Sequence, residues 1–152
     1  MTDRRFTVVH LDEIPRGYDR GPEVAELKPV RRRLGISAFG TNARVAAEAG
    51  QALVLPHDER EGGPYETDGH EELYVVLRGR AVFTLDGEEV DAPAGTLLFV
   101  RDPAVVRSAV AGEPDTAIIG IGAPPGRAFR PAGWEARAAD PDGTPPPERP
   151  WI

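Results

Sequence analysis

Residues 71–91 read EELYVVLRGRAVFTLDGEEVD. The run Leu73–Leu77 is rich in β-branched and aromatic residues, the composition of a strand, and Gly79 ends it. Arg80–Leu85 supplies a second strand. Asp86-Gly87 follows, the dipeptide that best supports a tight hairpin, because glycine accepts a positive φ at little cost. Strand side chains alternate between faces, so Leu73, Val75 and Leu77 point one way and Glu72, Tyr74 and Val76 the other. Both faces are apolar, and the same holds for Leu97–Val100, which follows a second turn at Pro93-Ala94-Gly95. A half-solvated antiparallel strand would alternate with polar residues. One face is therefore predicted to line a barrel interior, with Glu72 on it. The other is predicted to meet a second sheet or another subunit.

Working outward, short apolar runs separated by Gly and Pro predict further strands near 6–10, 34–39, 43–48, 51–56, 96–101, 105–110 and 116–122. This spacing is that of an all-β sandwich or barrel. Helix is limited to one candidate, Ala132–Ala139. The proline-rich stretch 141–152 is read as an extended tail, and 1–140 as one domain with its core at about 50–122.

Composition narrows the function classes. The net charge of -7 disfavours nucleic acid as a partner, since a field of that sign repels phosphates. Arg31, Arg32 and Arg33 run against that balance and are read as a solvated or interface strand end. The chain has no cysteine, which removes disulfides, thiolate metal sites and a cysteine nucleophile and fits a cytoplasmic location. No apolar run is long enough to span a membrane, so no membrane partner is expected.

The order strand, Gly, hairpin, Asp-Gly turn, strand, Pro-x-Gly turn, strand resembles the cupin core over about residues 50–110. In the first cupin motif a glutamate is followed by six residues and a glycine, as Glu72 is followed by Leu73–Arg78 and Gly79. The His-x-His that should precede it falls on Tyr65 and Thr67, or on Glu66 and Asp68. Upstream, His57-Asp58-Glu59 fills those places if the Gly62-Gly63-Pro64 stretch belongs to a longer loop. In the second motif Arg101 and Pro103 stand for the proline and glycine, Val106 for the histidine and Val110 for the asparagine.

The resemblance implies an all-β, cupin-type double-stranded β-helix (jelly-roll barrel) that binds a small molecule in its mouth. Glu72, Tyr74, His70 and Arg107 are the candidate ligand-binding residues, and catalysis is not demanded. The alternative is a metal-dependent enzyme, an oxygenase or isomerase. His57, Glu59 and Glu72 would hold the ion, with His70 in reserve. The cofactor is accordingly either none or one divalent transition metal ion, and a complete cupin ligand set is not expected. Acid–base work by Glu72 with Tyr74 or His70 is a third option. Each residue also has a plainer reading: Glu72 as a buried carboxylate paired with Arg107, His57 as a loop residue bonded to backbone, His70 as a solvent-facing turn residue. The apolar set Leu73, Val75, Leu77 and the segment Leu34–Phe39 predict a homodimer, unless Phe6–Leu27 folds back over that face.

Overall fold

The computed structural model describes residues 5–17, 19–63, 67–132 and 135. Nine strands are described: β1 (Glu26–Lys28), β2 (Gly40–Ala46), β3 (Ala52–His57), β4 (Glu71–Arg78), β5 (Arg80–Leu85), β6 (Glu88–Pro93), β7 (Leu97–Val100), β8 (Arg107–Ala111) and β9 (Thr116–Ala123). They form two antiparallel sheets, ordered β1-β2-β9-β4-β7 and β3-β8-β5-β6. Hairpin β5–β6 turns at Asp86 (φ 47°) and Gly87 (φ 86°), the double positive φ of a type I′ turn, which matches the twist of the strands it joins.

The inner faces of the two sheets bury Leu53, Tyr74, Val76, Phe83, Leu98, Val100 and Ile118. On the β3-β8-β5-β6 side the core positions Ala81, Ala92, Ala109 and Ala111 are small, which lets the rings of Tyr74 and Phe83 approach to 5.3 Å between centroids. A second cluster lies outside the first sheet. There Ile14, Val9 and Leu11 pack with Val30, Leu34, Ala43 and Ile119. The N-terminal segment thus folds back over β2 and β9. It leaves the outer face at β4 and β7 open, with Leu77 46%, Leu97 68% and Phe99 46% exposed.

The N-terminal third departs from the sequence reading. Residues 6–10 are not a strand. They run into one 3-10 turn at Leu11–Glu13, where the His10 side chain accepts from Asp12 N–H and Glu13 accepts from His10 N–H. Side chains that bond nearby backbone in this way compete with sheet pairing. The predicted strand 34–39 is also absent, and Arg31–Arg33 lie in a short helix, α1 (Val30–Leu34), not at a strand end. Pro29 precedes that helix and Gly35 closes it at φ 70°. Of the C-terminal helix candidate Ala132–Ala139, only Ala132 and Glu135 are among the described residues. The tail 141–152 lies outside them. No helix among the described residues is long and apolar enough to cross a membrane.

Gly79 joins β4 to β5 at φ 72°, and a Cβ there would lie 2.4 Å from Thr116 Oγ1 and 2.7 Å from Thr116 Cα. Thr116 is fully buried, and its hydroxyl bonds Glu113 O at 2.7 Å and Arg80 O at 3.1 Å, so it has no room to retreat. Gly79→Ala is therefore expected to destabilise the fold by about 2–4 kcal/mol, combining the left-handed backbone cost with overpacking. Urea unfolding checks this, and a loss under about 1 kcal/mol would contradict it.

Candidate functional site

The register of the first sheet sets the site. Across β2, β9 and β4, Gly40 pairs with Gly122 and Gly122 with Glu72; one step along, Asn42 pairs with Gly120 and Gly120 with Tyr74. Gly120 and Gly122 therefore sit between inward-facing side chains and contribute none of their own. A Cβ on Gly120 would come within 3.3 Å of Tyr74, and one on Gly122 within 3.0 Å of Glu71 O. Their bareness leaves a cavity of about 170 Å³, lined among others by Arg20, Asn42, Arg44, His57, Glu59, His70, Glu72 and Tyr74. The sequence signal was present in Ile118–Ala123, where glycine takes every inward place after Ile118. Glycine inside a strand marks a close approach of backbone or ligand.

His57 enters the cavity from the second sheet. The ladder between β3 and β8 shifts register twice before His57, and Pro56, which has no N–H to donate, sits at the second shift. Such irregularities re-aim side chains at the ends of strands. The ring is then fixed from behind by Nδ1, 2.7 Å from Leu55 O. A carbonyl oxygen only accepts, so Nδ1 carries the proton and Nε2 faces the cavity.

Glu59 lies in the loop after β3. Its N–H donates to Pro103 O at 2.8 Å, and its carbonyl accepts from the Thr67 hydroxyl at 2.8 Å. These bonds hold a loop whose described residues carry no regular secondary structure beyond one bridge, Glu61 to Thr67. Glu59 Oε1 is 3.1 Å from His57 Nε2, and Glu59 Oε2 is 3.8 Å from His70 Nδ1. Ligand atoms of His57, Glu59 and Glu72 lie within 4.8 Å of one another.

The electrostatics follow from burial. Glu72 has its pKa raised, first by burial and then by the nearby charge of Glu59, against hydrogen bonding from Tyr74. The Tyr74 hydroxyl is pushed well above its ordinary range by burial and by Glu72. For His57, burial acts downward, but the bonds to Glu59 and Leu55 O prevail and the pKa rises. Burial lowers His70. Among the described residues, Glu59 Oε2, Glu72 Oε1, His70 Nε2 and Asn42 Oδ1 are buried without a hydrogen-bond partner.

Four sequence expectations change here. His70 is not solvent-facing: it is buried against Phe129 and lines the cavity. Arg107 is fully buried and points inward, yet it is not among the cavity-lining residues and its Nε, Nη1 and Nη2 have no hydrogen-bond partner. It acts on Glu72 and Tyr74 through its charge, which lowers both pKa values, as expected of a charge partner of Glu72, and not through a hydrogen bond. Val106, aligned with the second-motif histidine, is 46% exposed. The inward place at the start of β8 belongs to Arg107, because strand faces alternate. Finally, the sequence reading missed Arg44 and Asn42 on β2, since it began that strand after Asn42. Tyr65 lies outside the described residues, and Thr67 holds the Glu59 loop.

No family model and no curated protein matches this sequence. Solved structures do. A cupin protein from Bacteroides fragilis superposes with TM-score 0.53 at 19% identity, covering 72% of this chain and 86% of that one. The fold is that of the cupins. KdgF from Halomonas sp. matches with TM-score 0.52 at 18% identity over 76% of this chain and 86% of its own. A predicted oxalate decarboxylase from Thermotoga maritima matches with TM-score 0.57 at 18% identity over 76% of this chain and 97% of its own. At such identity the likeness shows the fold alone; any chemistry of this chain has to be argued from its own side chains.

One of these makes a test. Because the folded-state pKa of Glu72 is raised, its charged form costs stability, and that cost is absent below the ordinary carboxylate pKa and grows as pH rises through the folded value. Metal-free Glu72→Gln is expected to melt higher than the parent near neutral pH and to lose that advantage at about pH 4. An equal or lower melting temperature at neutral pH would show that the carboxylate is paired and not strained.

Proposed function

We propose that this cupin binds a small molecule in its barrel cavity, beside a divalent transition metal ion held by His57, Glu59 and Glu72. The observation that carries the reading is the convergence of those three ligand atoms within 4.8 Å, with both carboxylates keeping a buried oxygen that has no hydrogen-bond partner. His57 supports it further. With Nδ1 protonated, Nε2 and Glu59 Oε1 are two acceptors 3.1 Å apart, and a cation must stand between them, either a proton or a metal ion. One imidazole and two carboxylates suit Mn, Fe, Zn or Ni. Such an ion, when bound, polarises a ligand oxygen as a Lewis acid.

The chain's own residues do the rest. Leu55 O orients His57, Pro103 O and Thr67 place Glu59, and the Tyr74 hydroxyl orients Glu72. Gly120 and Gly122 leave room for the ligand above Tyr74 and Glu72. Arg107 and Arg44 weigh against the metal through their positive fields, and the doubled carboxylate compensates them.

Metal-free protein titrated with Mn²⁺ or Zn²⁺ by calorimetry is expected to bind one ion per chain. Loss of an outer partner typically weakens metal sites 10–100-fold, so His57→Ala, which removes a ligand, should cost at least about 100-fold. Failure of every ion to bind, or an unchanged affinity in His57→Ala, would replace the metal by a proton shared between His57 and Glu59.

The open apolar face at β4 and β7 is proposed as the contact of a homodimer. The edge strand β7 carries Leu97 and Phe99 beside Leu77. A contiguous apolar patch costs about 25 cal/mol per Å² left in water, and twofold pairing is the commonest cover. Light scattering should give about twice 16.4 kDa. Leu97→Asp should return the mass to that of one chain, whereas a parent of 16.4 kDa would reject the pairing.

A further inference from the structure

One wall of the cavity comes from outside the two sheets. After β9 the chain brings Phe129, Ala132 and Glu135 to the cavity lining. Gly40 seats Phe129: a Cβ there would stand 3.0 Å from Cε2 and 3.2 Å from Cζ of its ring. Gly40 lies across Gly122 from Glu72, so the ring rests on the row of the sheet that ends in that carboxylate. Its other neighbour is His70, at 5.5 Å between ring centroids. This stretch is held unlike the barrel wall. Among the described residues its backbone–backbone hydrogen bonds are local, from Arg127 N–H to Pro124 O and from Glu135 N–H to Ala132 O, and no ladder ties it to a sheet. Side chains do the holding. Arg130 grips Asp68, with Nε 2.9 Å from Oδ2 and Nη2 2.8 Å from Oδ1. Arg127 reaches Glu61 Oε1 at 3.1 Å and also donates to Asp68 O. At the far end Glu135 accepts from Arg31 Nε of α1 at 3.1 Å.

We propose that residues 127–132 form a strap that gates the cavity. Phe129 stands against Gly40 and His70 as its stopper, and Arg127 and Arg130 latch it to Glu61 and Asp68. Small molecules enter when the latch opens and the ring lifts off Gly40. This rests on the cavity being the ligand site proposed above; it does not need the metal ion. The fastenings decide it. Both arginines are exposed and Phe129 is half-buried, whereas the core ring Phe83 is fully buried. Exposed ion pairs contribute little each and weaken with salt. A segment with solvent-facing fastenings and no ladder belongs to the low-stability end of a fold and opens ahead of the rest. The latch also closes on the loop of the site: Asp68 follows Thr67, whose hydroxyl donates to Glu59 O at 2.8 Å.

Diethyl pyrocarbonate, a small molecule that acylates neutral imidazole, tests the gate on EDTA-treated full-length protein at about pH 7.5, above the ordinary imidazole pKa. Peptide mass spectrometry compares His70 with exposed His10, the internal standard. Where reclosing is fast, labelling tracks the population of the open form. In dilute buffer His70 of the parent is expected to react at least about tenfold more slowly than His10. In about 0.5 M NaCl it should gain about two- to threefold relative to His10. Arg127→Gln combined with Arg130→Gln should raise His70 labelling about three- to tenfold and remove most of the salt gain. Phe129→Ala should raise it at least as far, and adding the two arginine changes to it should then have no further effect. Circular dichroism melting establishes that each variant is folded. His70 reacting as fast as His10 in the parent, a parent rate indifferent to salt, parent-like labelling in the folded arginine variant, or an arginine effect undiminished beside Phe129→Ala would each overturn the strap. Mn²⁺ binding is read separately by calorimetry on the parent, so failure of the metal site and failure of the strap are told apart.

Discussion

Glu59 and Glu72 are two carboxylates brought together inside a barrel whose wall also carries Leu53, Tyr74, Ile118 and small residues beside its other polar groups. Burying charge is costly unless it is paired, and two like charges in one cavity aggravate each other. The barrel answers with basic groups placed at different distances. His57 is in contact at 3.1 Å, and Arg107 acts through its field from within the opposite sheet. Arg44 adds its field from β2. Much of the local architecture serves this balance: the irregular end of β3 that turns His57 inward, the Thr67 and Pro103 bonds that fix Glu59, and the glycine floor that keeps the cavity open.

Arg107 is the least compensated member. A guanidinium with no hydrogen-bond partner at full burial is expensive, because removing it from water is repaid only by good pairing. Its place at the start of β8, directly across the ladder from His57, is where the cupin motif leads one to look for a metal ligand. A cation standing there lowers the pKa of Glu72 through its field and so eases the burial of that carboxylate.

On the proposed reading, His57, Glu59 and Glu72 on the β3 and β4 side of the cavity hold the metal ion, while Asn42 and Arg44 line it from β2. Outside the barrel, the N-terminal segment and α1 cover β2 and β9, and the edge at β7 stays apolar and open. The cavity and the exposed apolar edge thus draw on opposite faces of the same strand, β4.

The chain's local pattern was enough to determine the central strands, the Asp86-Gly87 hairpin, the inward face of Glu72, Tyr74 and Val76, and the spacing from Glu72 to Gly79. Each of these is set by residues within a few positions: alternation, turn chemistry and glycine. The pairing of His57 with Glu59 was also foreseeable, since only Asp58 separates them and only the loop length was in question. What the sequence misjudged has local and distant causes. Residues 6–10 look like a strand but run into the turn that His10 and Glu13 cap, and Leu34 ends a helix closed by Gly35 and packed on Ala43 and Ile119, with no strand over 36–39. His70 looks exposed beside Gly69 and is buried by Phe129, 59 residues on. Arg44 and Asn42 carry no motif, and only the register of β2 against β9 and β4 sets Asn42 across from Tyr74 and Arg44 across from Val76. Sequence by itself fixes which way a side chain faces along its own strand; which side chains share a cavity is decided by strand order and register, because those are set by the whole sheet closing at once.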